Sequence, residues 1–390
     1  MKITLWGINY APELTGIAPF NAALCEYLSQ RGHEVAVVTS FPYYPEWKKR
    51  PSDRGRVFRT DIENGVRIHR CWHYVPEKVR ALKRIVHEAS FIAMSLLRVL
   101  SLPRPDVFVV VSPPLLLGVA AWVAGIAKRS PFVFHVQDLQ PDAAVGLGMI
   151  QPGRLARFLY WVEAFAYAKA ARVSGISSGM LDMFRKKGVA ESKIVYFPNG
   201  VRLPVIPAAR GLFRARHGIA ESAFLVVYSG NMGVKQGLDV LIQAARLVSA
   251  RDASTGNDER PIRIVLAGDG AMRGRLADSI ARNALNNVLL LPLQPDQSYR
   301  EMLTDADCTV ITQQRGAGSY FFPSKLLASL AAAKPVITVA DESSELAKAL
   351  AAGRFGINVP PNEPESLARA IREMALAAGA DKIVAAVRNG

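Results

Sequence analysis

A chain of 390 residues is longer than one hydrophobic core usually grows, so two domains of roughly 190 residues each are expected. Half of the residues are hydrophobic and Gly and Pro are ordinary in number, which excludes disordered, collagen-like and coiled-coil classes. The net charge of +15 is uneven, with 14 basic against 5 acidic residues between Lys48 and Arg104; such a face attracts phosphates of nucleic acid, anionic lipid or polyanionic substrate, and charge alone does not choose among them.

The start, MKITLWGINYAPE, has one lysine and a short apolar run, so it reads as a strand over Ile3–Ile8 and not as a signal peptide. Tyr10-Ala-Pro-Glu-Leu-Thr-Gly16 leads into a helix over Pro19–Gln30. Gly16 lets backbone N–H groups approach a ligand there, with a plain strand-to-helix turn as the alternative. Strands follow at Glu34–Thr39 and Val66–Arg70. His69 and His73 stand four apart without a third partner and read as surface residues. None of the six histidines has zinc-ligand spacing, and no metal is expected. Cys25, Cys71 and Cys308 form no CxxC pair, which points to a reduced cytoplasmic compartment.

Glu77–Leu100 reads as a helix whose first turns carry Lys78, Arg80, Lys83 and Arg84 among apolar residues. It is either an interfacial helix on an anionic membrane or an ordinary domain helix with a solvated basic turn. Val107–Ala127 has no charge over 21 residues, but Ser112-Pro113-Pro114 breaks it into a buried strand, Val107–Val111, and a buried helix. The strand Phe132–Val136 runs into Gln137-Asp138. His135 and Gln137 share one face of it by the period of two, as site residues beside Asp138 or, for His135, as a satisfied core histidine. After a strand at Ile194–Phe197, Asn199-Gly200 opens a Pro- and Gly-rich hinge from Pro198 to Gly211, dividing the chain into domains 1–203 and 204–390.

The second half repeats the alternation, with strands near 224–229, 263–267, 288–291, 308–312, 335–339 and 356–359. Crossovers of this length imply doubly wound parallel sheets. Ser229-Gly230-Asn231-Met-Gly-Val-Lys235 precedes a helix over Leu238–Arg251, and Ser324-Lys325 begins one over Lys325–Ala333. Gly268-Asp-Gly270 lacks the spacing of a dinucleotide fingerprint and reads as a tight turn with its backbone near a ligand; Pro292-Leu293 ends the next strand. Two lysines beside helix starts at the carboxyl edge of a parallel sheet point to a diphosphate, and hence to a nucleotide-activated substrate. No phosphate loop of the G-x-x-x-x-G-K-[ST] type, nucleophile elbow or kinase set is present, and the basic region has no nucleic-acid reader motif.

The segments GINYAPELTG, RGHEVAVVTSFPYYPEW, SPPLLLG, FHVQDLQPDAA, FPNG, YSGNMGVKQGLDVLIQAA, LPLQP and FPSKLLASLAAAKPVI resemble the family-4 glycosyltransferases of the GT-B fold, in family order along nearly the whole chain. The similarity is greatest to the bacterial branch of colanic-acid and exopolysaccharide synthesis. The resemblance implies two Rossmann-like domains and a UDP-, GDP- or dTDP-sugar donor in the C-terminal one. It also implies a lipid-pyrophosphate-linked saccharide acceptor on the N-terminal one, retaining transfer without metal, and work at the inner face of the plasma membrane. Lys235 would stabilise the diphosphate, with Gly16, Asn199, Gly230, Asn231, Ser324 and Lys325 around it. Gly268, Gly270, Pro292 and Leu293 would line the base and ribose pocket. His135 or Gln137, and Asp138, would sit near donor sugar or acceptor, and Lys78, Arg80, Lys83 and Arg84 would meet membrane and acceptor.

Departures from the family pattern are visible. Asn231 and Met232 stand where the family has an arginine before its phosphate lysine. Tyr320 and Ala328 occupy its two Glu positions, which leaves more of the phosphate work to Lys325. The family's histidine aligns with Gln137 more naturally than with His135. The chain ends at Ala385–Gly390 with little room for the family's last helix, so a longer natural chain is expected. A sugar-nucleotide epimerase of the same fold, and a non-catalytic sugar-nucleotide or polyanion binder, are the competing readings.

Overall fold

A computed structural model of the chain describes residues 1–13, 16–78, 81–146, 148, 150–151, 153–200, 209–252, 260–316 and 325–376. Arg80, Tyr320, Ser324, most of the expected hinge (201–208) and the chain end lie outside the described residues. The chain divides into two compact units, Met1–Gly200 and Val201–Gly390.

The first unit holds strands β1 (Lys2–Trp6), β2 (Glu34–Ser40), β3 (Phe58–Glu63), β4 (Val66–Cys71), β5 (Val107–Ser112), β6 (Phe132–Val136), β7 (Arg172–Gly175) and β8 (Ile194–Tyr196). Its helices are α1 (Ala18–Gln30), α2 (Ala81–Ser101), α3 (Leu117–Lys128), α4 (Gln140–Gly146), α5 (Arg154–Lys169) and α6 (Ser178–Lys186). The sheet order is β3-β4-β2-β1-β5-β6-β7-β8, parallel except for β3. Strands such as VFVVVS are apolar throughout because a parallel sheet with its crossovers buries both faces. Leu5, Val35, Val37, Ile68 and Val111 build one core cluster with Cys25 of α1.

Two strands were absent from the sequence reading. β3 (FRTDIE) is a largely exposed, charged edge strand, antiparallel to β4 through an Asn64-Gly65 turn with φ of 51° and 77°. β7 is only four residues long. The expectation of surface histidines is corrected as well. His69 and His73 are buried, because β2 and β3 flank β4 and α2 packs against it. His69 Nδ1 lies 2.9 Å from Thr60 Oγ1, and burial lowers its pKa to about 4. His73 packs edge-on against Tyr43 and His87.

The second unit holds β9 (Phe224–Ser229), β10 (Ile262–Ala267), β11 (Val288–Leu291), β12 (Cys308–Thr312), β13 (Val336–Val339) and β14 (Gly356–Val359). Its helices are α7 (Leu212–Arg216), α8 (Asp239–Asp252), α9 (Arg273–Arg282), α10 (Asp296–Asp305), α11 (Lys325–Ala331), α12 (Glu345–Gly353) and α13 (Pro364–Ala375). The sheet is wholly parallel, in the order β11-β10-β9-β12-β13-β14. Its core joins Val226, Tyr228, Leu266 and Val310 to Leu241, Val248 and Ile371 of the covering helices. Asp305, at the end of α10, fastens α7 to the unit: its carboxylate accepts from Gly211 N (2.6 Å), Phe213 N (2.8 Å) and Arg214 N (3.0 Å).

Candidate active site

In the second sheet the chain runs from β9 to β10 and β11 toward one edge, then returns to β12 on the opposite side of β9. The loops leaving β9 and β12 therefore diverge, and the crevice between their carboxyl ends is where open α/β sheets take ligands. Both lysines singled out from the sequence lie on these two connections. Lys235 sits in a single 3₁₀ turn, Val234–Gln236, with Gly237 in the left-handed region separating it from α8. Its carbonyl accepts from Gln314 N at 2.9 Å, which ties the β9 loop to the β12 loop. Lys325 begins α11.

Tyr228, buried near the end of β9, joins these pieces and was not singled out from the sequence. Its hydroxyl donates to Asn231 O at 2.6 Å and accepts from Lys325 Nζ, which lies 3.9 Å from the centre of the ring. Gly230, with φ of 130°, gives the lysine its path: a Cβ there would come within 2.5 Å of Lys325 Cε. Burial first, and the charge of Lys235 second, lower the Lys325 pKa from 10.5 to about 7. The two lysine side chains are therefore near enough to repel each other, and a bound anion would relieve both that repulsion and the cost of burying Lys325.

Gly268 and Gly270 have an immediate structural reason. A Cβ on Gly268 would fall 1.9 Å from Gly230 O, and one on Gly270 would meet the Met232 backbone at 2.7 Å. Met232 N donates to Asp269 O at 2.7 Å. The β10 turn is therefore the seat on which the Gly230–Met232 loop rests. Pro292 and Leu293 follow β11, with the Pro292 carbonyl accepting from Gln294 Nε2 at 2.8 Å.

In the first unit the reversal of strand order falls between β1 and β5. Gly16 adopts φ of 68° just before α1, whose first turn has no side-chain cap. The preceding turn is held by Glu13, another residue the sequence reading passed over. Its buried carboxylate accepts from Tyr43 N (3.0 Å), Tyr44 N (2.9 Å) and Asn9 Nδ2 (2.8 Å).

At the end of β6, His135 and Gln137 meet as their shared face requires. Gln137 Nε2 donates to His135 Nε2 at 2.8 Å, so the Nδ1–H of that ring donates to Ser174 Oγ at 2.9 Å. Burial lowers the His135 pKa to about 4, and the ring is neutral at physiological pH. Gln137 and Asn199 exchange two hydrogen bonds of 2.9 and 2.8 Å. Both N–H groups of the Gln137 amide are thereby used and His135 holds it in place, while its Oε1 keeps a second acceptor position. Asp138 is half-buried beside this network, close enough to Tyr44 to help raise its pKa after burial and Glu13. Lys78, Lys83 and Arg84 are exposed around the start of α2, Arg84 pairing with Glu88 at 3.1 Å.

Comparison with known proteins fits this geometry. The family model "Glycosyl transferase 4-like domain" matches residues 15–200, and "Glycosyl transferases group 1" matches residues 210–381. The chain is 30% identical over 386 residues to the protein of Escherichia coli (strain K12) named as the colanic acid biosynthesis glycosyl transferase WcaI, covering 96% of this chain and 92% of that one. Among solved structures, sucrose-phosphate synthase from Thermosynechococcus elongatus superposes with a TM-score of 0.76 at 17% identity, covering 99% of this chain and 93% of that one. Anabaena Alr3699/HepE, in complex with UDP and glucose, gives a TM-score of 0.69 at 14% identity over the same shares.

Proposed function

Since the chain belongs to the glycosyltransferases, with a 4-like domain followed by a group 1 domain, we propose that it moves a sugar, with retention, from a nucleotide-diphosphate sugar to a lipid-linked oligosaccharide in exopolysaccharide or capsule synthesis. The observation that carries the donor reading is the convergence of Lys235 and Lys325 on the reversal point of the second sheet, with Tyr228 beneath the second ammonium. Negative charge grows on the departing diphosphate as the glycosidic bond breaks, and two fixed ammonium groups stabilise it most at that moment. They also supply the charge that a divalent cation would bring, so the reaction requires no metal. The β-phosphate oxygen, as it leaves, takes the proton of the attacking acceptor hydroxyl on the same face of the sugar.

In the first unit, Gln137, Asn199 and Asp138 position sugar or acceptor, and neutral His135 serves to orient Gln137. The structure of HepE with UDP and glucose is the precedent for a nucleotide-sugar donor. A lipid-pyrophosphate acceptor and a peripheral station on the inner membrane face are read from the relation to colanic-acid synthesis and from the basic segment around Lys78, Lys83 and Arg84.

The test is a panel of UDP-, GDP- and dTDP-sugars, each with and without lipid-pyrophosphate saccharide, with and without chelator. Nucleotide release that depends on acceptor and survives chelation supports the proposal. Interconversion of the sugar without acceptor, or release that chelation abolishes, refutes it.

A further inference from the structure

α2 carries apolar residues on the side away from the protein as well as on the side that packs. His87, Phe91 and Val99 face inward, whereas Leu82, Val86 and Leu97 are exposed, Leu82 to 78%. α3 beside it, and α5 beside α3, repeat the pattern. Val123 and Ile126 of α3 are exposed, the latter to 62%, and so are Phe158 and Trp161 of α5, to 50% and 61%. The three helices form one layer. Lys128 at the end of α3 donates to the carbonyls of Leu100 (2.7 Å) and Leu102 (2.6 Å), and Trp122 of α3 packs edge-on against Phe165 of α5 with ring centres 5.2 Å apart. The stripes therefore join into one exposed apolar face within the first unit, larger than the scattered apolar residues any surface shows.

The charges on these three helices are predominantly basic. Among the residues of the three helices the acids are Glu88, paired with Arg84, and Glu163, buried against Lys187. Against them stand Lys83, Arg84, Lys128, Arg154, Arg157 and Lys169, while Arg98 turns inward to Thr60 and His69. Among the described residues no helix is long and apolar enough to cross a membrane, so insertion would be shallow. An apolar face with Trp and Phe, fringed by Lys and Arg and lacking free carboxylates, matches an anionic headgroup layer over acyl chains. A protein partner or a second copy of this chain would have to offset the same cationic fringe, which self-association doubles.

We propose that the outer face of α2, α3 and α5 is an interfacial surface that seats the first unit on an anionic phospholipid bilayer. The basic turn at Lys83 and Arg84 is then one edge of the contact and not the whole of it. The proposal gives a location to the membrane association in the functional reading and rests on that reading for its biological sense, but its measurement needs neither donor nor acceptor.

The test uses full-length protein and vesicles of phosphatidylglycerol and phosphatidylcholine in equal parts. Val123→Gln, Phe158→Gln and Trp161→Gln are combined, glutamine being at home on an exposed helix. The triple variant should lower the vesicle partition coefficient by about tenfold or more, with thermal midpoint and nucleotide-sugar binding unchanged. Pure phosphatidylcholine vesicles should bind the wild-type protein more weakly than the mixture. Equal partition of variant and wild type overturns the proposal, and so does wild-type protein that fails to partition. Dimerisation of the wild type that the triple variant abolishes would assign the face to a second copy. Absence of nucleotide-sugar binding by the wild type, by contrast, would count against the transferase reading and leave the surface standing.

Discussion

Replacing Lys325 by Met removes one of the two ammonium groups and, with it, a proton that donor binding must supply. Burial and Lys235 hold the Lys325 pKa near 7, against an ordinary 10.5. At pH 8 a group with that pKa is protonated in about a tenth of the molecules. A diphosphate beside it restores the ordinary lysine range, so binding should take up about 0.9 proton at pH 8 and about 0.5 at pH 7. Calorimetry of donor binding in buffers of different ionisation enthalpy reads this number directly, and Lys325→Met should reduce it to near zero. A charge pair at about 4 Å with an effective dielectric near 20 is worth about 4 kcal/mol, so donor affinity should fall by about 10²–10³ once desolvation is discounted. Stability gives an independent readout. Between pH 7 and 10.5 the unfolded chain holds a proton that native Lys325 does not, so the donor-free protein gains stability as pH rises through this window. The slope is at most about 1.4 kcal/mol per pH unit, vanishes below pH 7 where both states are protonated, and is absent from Lys325→Met. Wild-type binding without proton uptake at pH 8, or uptake that survives the substitution, refutes the reasoning.

Lys235→Ala should lower kcat by about 10² or more with the circular dichroism spectrum and thermal midpoint unchanged, on the proposal that its charge acts on the leaving diphosphate; steady-state kinetics with the accepted donor checks this. Ala328→Glu places a carboxylate one helical turn from Lys325, and should weaken the donor by about tenfold and diminish proton uptake at pH 8 in the same calorimetric experiment. Gly268→Ala forces its Cβ against Gly230 O, and should cost about 2–3 kcal/mol in urea unfolding while raising the donor KM, since the Gly230 loop must shift. Asp305→Ala leaves three N–H groups, two of them buried, without their acceptor and should cost about 2–3 kcal/mol in urea unfolding; Asp305→Asn should retain about half of that.

What could be read from the sequence follows from which forces are local. Strands such as β5, β9 and β12 stand out because a parallel strand buried on both faces is mostly apolar and β-branched. Lys235 and Lys325 could be chosen because a loop after such a strand lies at the ligand edge of the sheet whatever the rest of the fold. β3 escaped because an edge strand is free to be charged, although Asn64-Gly65 was the turn signal that could have revealed it. Tyr228 had no signal at all, since a tyrosine in FLVVYS reads as core and its tie to Lys325 spans 97 positions of sequence. Gly268 and Gly270 invited a ligand reading, but the atoms that exclude a Cβ belong to a neighbouring backbone that only the fold brings near.

Ala328, where the family pattern has a carboxylate, bears directly on the environment of Lys325. Position 328 lies one turn beyond Lys325 on α11, so a glutamate there, as the family pattern has it, would neighbour the ammonium and neutralise it. Ala328 offers no such partner. The ammonium rests instead on the hydroxyl and ring of Tyr228, which are neutral, and faces Lys235, which repels it. On the proposed reading, a diphosphate in the crevice would offset both the burial of Lys325 and its repulsion by Lys235. A carboxylate anchors one hydroxyl pair of a ribose, whereas paired ammonium groups grip phosphate and act on the atom where charge develops. On the proposed function, affinity for the donor would then come from its leaving group more than from its ribose, where binding also accelerates the chemical step.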